Sequence, residues 1–178
     1  MKSQFTHLLP TSLLTTSWKT ACKVSSGVAL GYGLLGGSAS AQIVIDNTTP
    51  TVVDPSGSGC TGICITGGLR DGNGTGSNIF HSFSDFNISN GQTITFDRQP
   101  GIANIFSRVT GLNASSIDGI LSVNSSRDIG ASVDSSANLF LLNPNGIIFG
   151  NNAELNIPES FLASTANSLL FQNGNEFS

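Results

Sequence analysis

An all-β domain is predicted over residues 42–178, and three observations carry the prediction. Short runs of β-branched, aliphatic and aromatic residues recur along the chain, each bounded by Gly, Pro, Asn, Asp or Ser. No heptad or dominant helical period runs through them. Between Leu139-Phe140-Leu141-Leu142 and Ile147-Ile148-Phe149 stands Asn143-Pro144-Asn145-Gly146. There Asn suits the first position of a type I turn, Pro sets φ at the second and Gly is favoured at the fourth. A strand, a tight corner and a second strand are specified in one unit. Sandwich, barrel and solenoid are all compatible with this pattern.

Residues 1–41 read as an extended signal peptide. Lys2, Lys19 and Lys23 form a basic region, Val24 to Leu35 a short apolar run, and Ala39-Ser40-Ala41 a small-residue cleavage site. Cleavage is expected between Ala41 and Gln42. The apolar run is too short and glycine-rich for a bilayer, which needs about 20 apolar residues. Three of the seven cations leave with this segment. Arg70, Arg98, Arg108 and Arg127 then face 11 carboxylates, with no basic patch, so nucleic acid and anionic lipid are poor partners.

In chain order, Ile43-Val44-Ile45 is the first predicted strand, and Asp54-Pro55-Ser56-Gly57 is a turn. Cys60 and Cys64 follow. With Cys22 gone they are an even pair in an exported chain, giving a small disulfide-closed loop or two unpaired thiols. The spacing is not the C-x-x-C redox pattern. A metal site would need more ligands than His81 can add, so neither metal nor cofactor is expected. Strands are predicted at Ile63-Cys64-Ile65, Thr93 to Phe96, Ile105 to Val109 and Gly119 to Val123. Turns are predicted at Asp71-Gly72-Asn73-Gly74, Asn90-Gly91 and Gln99-Pro100-Gly101. The run Ile105 to Val109 suggests one inward row and one solvated row. Asn-rich corners suit stacked coils, whose amides can hydrogen-bond from rung to rung.

Two stretches depart from the β pattern. Phe161, Leu162, Thr165, Ala166 and Leu169 would line one helix face, opened by Pro158-Glu159, so local pattern predicts a helix. Ile79, Phe80, Phe83 and Phe86 recur nearer every third residue than every second, leaving that segment undecided.

Catalysis is not expected. Asp85, Asp97, Asp118, Asp128 and Asp134 are dispersed beside turn residues, and no pair is set up for acid–base work of the kind a β-helical polysaccharide-degrading enzyme needs. A carbohydrate- or cell-surface-binding module is an alternative. Residues 42–178 hold many Phe but no Trp or Tyr, which favours core stacks over sugar platforms.

Several blocks in fixed order carry a resemblance. They are Asn78 to Phe83 with Phe86-Asn87-Ile88; Asn104 to Gly111 with Ile117 to Leu121; and Asn138 to Gly150 ending in Ser160 to Thr165. Together they resemble the N-terminal secretion domain of filamentous-haemagglutinin-type two-partner secretion exoproteins. The Cys60/Cys64 segment running into Ile65-Thr66-Gly67-Gly68 is most similar to cyanobacterial members. The family's NPNL-type motif nearer the N-terminus has no counterpart here. The resemblance implies a right-handed parallel β-helix, a single-stranded solenoid with minor extra-helical strands, C-terminally incomplete at Ser178. In that fold Phe161 to Leu169 would be strand and corner.

It also implies a route. Sec delivers the chain to the periplasm, and a partner outer-membrane transporter recognises it through its periplasmic domains and barrel. The protein then folds at the cell surface or in the medium of a Gram-negative-type bacterium. Asn143, Pro144, Asn145, Gly146 and Ile147 are the candidate secretion motif, as corner or as recognition element. A cell-surface or glycan receptor is the remaining partner class.

Overall fold

The computed structural model describes residues 42–124 and 136–178. Signal-segment features and cleavage residue Ala41 lie outside these, as do Arg127, Asp128 and Asp134. Fifteen strands occupy the described residues: β1 (Ile43–Ile45), β2 (Thr51–Asp54), β3 (Ile63–Gly67), β4 (Leu69–Arg70), β5 (Asn78–Phe86), β6 (Thr93–Asp97), β7 (Asn104–Val109), β8 (Ser115–Ile117), β9 (Ile120–Asn124), β10 (Asn138–Leu142), β11 (Ile147–Phe149), β12 (Glu154–Asn156), β13 (Phe161–Ser164), β14 (Leu169–Leu170) and β15 (Glu176–Phe177).

From β6 to β13 the chain visits three sheets in rotation. One runs β1-β5-β7-β10-β13 with β4 beside β5, a second runs β12-β9-β6-β3-β2, and the third pairs β11 with β8. Each return lays a strand parallel to its predecessor: β5 with β7, β7 with β10, β10 with β13, β6 with β9 and β9 with β12. The fold is all-β, with parallel sheets in a β-helix-like arrangement. At the first end the exposed edges are closed by antiparallel strands, β1 and β4 on β5 and β2 on β3. Such pairing blunts an edge that would otherwise template aggregation.

Register stacks like on like. Ile79, Ile105 and Leu139 form one buried row, and Ile94 with Leu121 another. Phe83, Phe86, Ile88, Phe96 and Ile117 fill the space between the sheets. At the far end β11, β12 and β13 are edge strands, so Phe149 and Leu155, register partners of buried Ile117 and Leu121, are exposed.

Two local readings need correction. Phe161–Ser164 is a strand, not a helix, because Leu139–Leu142 offers it a parallel ladder. Tertiary pairing overrides a helical spacing that nothing else sustains. Asn78–Phe86 is one long strand. The register with β1 jumps from Asp85 to Phe83, a bulge that leaves Ser84 unpaired, so Phe83 and Phe86 both point inward although three positions apart.

The reading of β7 also changes. Ile105, Ser107 and Val109 face in, whereas Phe106 is on the outer side yet only 7% exposed. The antiparallel hairpin β14–β15 accounts for this cover. Phe171 packs edge-on to Phe80 and Phe106, at 5.9 and 5.3 Å, and Phe177 lies 4.9 Å from Phe80. Phe80, Phe106 and Phe140 form an external aromatic ladder at 5.2 and 4.7 Å, where only core stacks were expected.

Candidate functional site

The Asn143 corner turns the chain from β10 to β11. Its polar groups are spent almost entirely on neighbouring coils. Gly146 N–H donates to the Asn143 carbonyl at 3.0 Å, closing the turn. Asn145 N–H donates to Asn143 Oδ1 at 2.9 Å, a side-chain turn that reinforces it. Asn143 Nδ2 donates to the Asn113 carbonyl and to Ser115 Oγ, both at 3.0 Å, and Asn145 Nδ2 reaches the Gly111 carbonyl at 2.7 Å. On the other side Asn143 N–H donates to the Ser164 carbonyl at 3.0 Å. Asn143 is therefore 0% exposed, while Pro144 and Asn145 face solvent and Ile147 is half-buried. Gly146 has φ +115° and room for a methyl group, so backbone conformation, not space, requires glycine there.

The same rung-to-rung logic recurs at other corners. Asn104 Nδ2 donates to Asn78 Oδ1 and Asn138 Nδ2 to Asn104 Oδ1, at 2.8 and 2.9 Å. Asp85 accepts from Asn113 Nδ2 at 3.0 Å, and Asp118 accepts from the backbone and side chain of Asn152. Two of the carboxylates considered for catalysis thus serve as corner clamps.

Cys60 and Cys64 form a disulfide with a Cα–Cα distance of 5.9 Å. It closes a loop of the β2–β3 hairpin, at the opposite end of the stack from the Asn143 corner. Gly62 in this loop has φ +79°, and a Cβ there would lie 2.2 Å from the Thr93 carbonyl oxygen. The loop is seated on the first corner of the stack only because that residue has no side chain. Gln42, the first described residue, is exposed and accepts from Asn87 N–H at 2.9 Å.

Sequence reasoning missed a network joining both ends of the described chain. Asp46 accepts from Ser82 Oγ, from Thr48 N–H and Oγ1, and from Thr110 Oγ1 at 2.9 Å. Burial pulls its carboxyl upward, but these donors outweigh burial and hold it below the usual carboxylate range. Arg108 donates to Ser82 Oγ at 2.9 Å and to Thr48 Oγ1 at 3.2 Å, and its guanidinium lies 4.7 Å over the Phe177 ring. The lone arginine in an apolar β7 run was the available signal, legible only with the register known.

His81, weighed earlier as a metal ligand, is instead inside the stack. It is 2% exposed, with Nδ1 3.1 Å from Thr51 Oγ1 and its ring 5.4 Å from Phe96. Burial pushes its pKa down to about 3. Because the folded value lies below the unfolded one, stability is full above pH 6.5 and falls as pH drops toward 3. We expect the 42–178 domain to lose about 2 kcal/mol between pH 7.5 and pH 5, read by urea titration at both values. His81→Gln should flatten that difference whatever its own cost in stability.

The strands stack in parallel, capped at one end and clamped by Asn corners, and no group of His, Cys, Asp or Glu able to hold a metal ion occurs among the described residues. A family model for the TPS secretion domain matches residues 41–178. The chain belongs to the TPS secretion domain family. No curated protein and no solved structure matches it. The TPS domain places this chain among two-partner secreted exoproteins, whose export uses a partner outer-membrane transporter. The domain type is secretion-related and non-catalytic.

Proposed function

We propose that residues 42–178 are the export address of a large adhesin-like exoprotein. Residues 1–41 direct the chain to the Sec machinery and are removed between Ala41 and Gln42. The partner transporter's periplasmic domains then take the unwound chain by strand addition. In that mode main-chain bonds give affinity and alternating side chains give specificity. Winding into a right-handed, single-stranded β-helix follows outside the cell.

The observation that carries this reading is the family match over residues 41–178, whose first residue coincides with the proposed cleavage site. Topology supports the order of events. The parallel pairs join segments far apart in sequence, such as Asn78 with Asn104 and Asn104 with Asn138, and non-local pairing of this kind is slow. The Cys60–Cys64 loop spans only 4 positions, so periplasmic oxidation leaves no large knot to thread.

Burial of Asn143 bears on the motif. A side chain at 0% exposure is not available to a transporter in the wound domain. Any contact with the motif's asparagine is therefore made before winding, and afterwards the residue serves as a corner.

The test is a passenger fusion. Residues 1–178 joined ahead of an unrelated unfolded passenger should carry it into the medium when the partner transporter is co-expressed. Retention of the passenger with the transporter present would refute the address function.

A further inference from the structure

The β14–β15 hairpin leaves an open groove of about 970 Å³ between itself, the outer face of the first sheet and the Asp71–Gly74 turn. We propose that this groove binds a neutral oligosaccharide once the domain is wound. Several of its polar groups are already engaged within the domain. Arg70 donates to the Gly76 and Pro100 carbonyls, Arg108 to Ser82 and Thr48, and Asp71 accepts from Asn78. Thr48 and Thr49 are likewise held in the Asp46 and His81 networks.

The groups left to meet a ligand form a specific set. The Glu176 carboxylate and the side chains of Asn73 and Asn175 make no hydrogen bond among the described residues, and Asn173 uses only its Oδ1. All four residues are exposed. Half-buried Phe80 and Phe171 supply apolar ring surface in the same wall. Paired donors and acceptors beside aromatic faces match vicinal hydroxyls flanking the C–H face of a sugar ring. Here neighbouring amides supply the polar handle that a phenylalanine lacks. Asp71 and Glu176 offset Arg70 and Arg108 in the lining, so the groove carries no net positive charge, and on a domain rich in acid this disfavours acidic glycans. The volume fits a ligand of two or three rings.

The experiment uses the protein secreted into the medium. A panel of neutral tri- to hexasaccharides of glucose, galactose and mannose is arrayed beside sialylated and sulfated ones, and the best hit is titrated by calorimetry. We expect a neutral hit. Glu176→Gln and Asn175→Ala should each weaken it about tenfold, with unchanged circular dichroism and unchanged secretion. Phe171→Ala should weaken it further. Silence across the neutral panel, preference for acidic glycans, or affinity indifferent to Glu176→Gln and Asn175→Ala would overturn the proposal. Because secretion is scored separately, failure here and failure of the export address are distinguishable.

Discussion

Phe83→Ala is expected to lower the stability of the wound domain by about 3–5 kcal/mol, as large-to-small substitutions of buried aromatics do. Phe83 is 0% exposed and sits where the sheets converge. Its ring lies 5.2 Å from Phe86, 6.4 Å from Phe96 and 6.5 Å from His81. The bulge opposite Ile45 fixes its neighbours, so the surrounding backbone has little freedom to collapse into the void. Urea titration should show a lower midpoint with an unchanged slope. A loss below about 1 kcal/mol would mean that the aromatic cluster is not the packed centre described here.

Asn143→Ala should cost about 3 kcal/mol, chiefly through partners left behind. The Asn113 carbonyl, Ser115 Oγ and Asn145 N–H each lose a bond at a buried corner. Asn143→Asp should do at least as much damage, because a carboxylate cannot donate to the Asn113 carbonyl and would be charged at a site with no solvent. Both variants should be measured for refolding of purified protein and for yield in the medium. Loss of both properties marks a corner whose winding draws the chain outward. Normal refolding with failed export would show instead that the transporter reads this asparagine in the unwound chain.

Much of this fold was legible because turn chemistry and β-branched runs are local signals. Ile43–Ile45, Thr93 to Phe96 and the strands on either side of Asn143 lie where such signals place them. Strands of mixed polarity were not legible. Ser115–Ile117 and Glu154–Asn156 become strands because a parallel neighbour offers a ladder, and no local propensity announces that. The outer row of the first sheet is a second limit. Alternation puts Phe80 and Phe106 outside, and only a hairpin nearly a hundred positions from Phe80 explains why Phe106 is buried and Phe80 half-buried. The Asn143 turn was readable as a turn, but its clamp depends on Asn113 and Ser115 one coil earlier. Register, which no single segment encodes, brings them together.

The most direct test compares strains with and without the partner transporter. A protease-resistant, β-rich polypeptide beginning at Gln42 is expected in the medium only when the transporter is present, and a protease-sensitive chain in the periplasm when it is absent. Equal release in both strains, or a wound, protease-resistant domain already in the periplasm, would contradict that expectation.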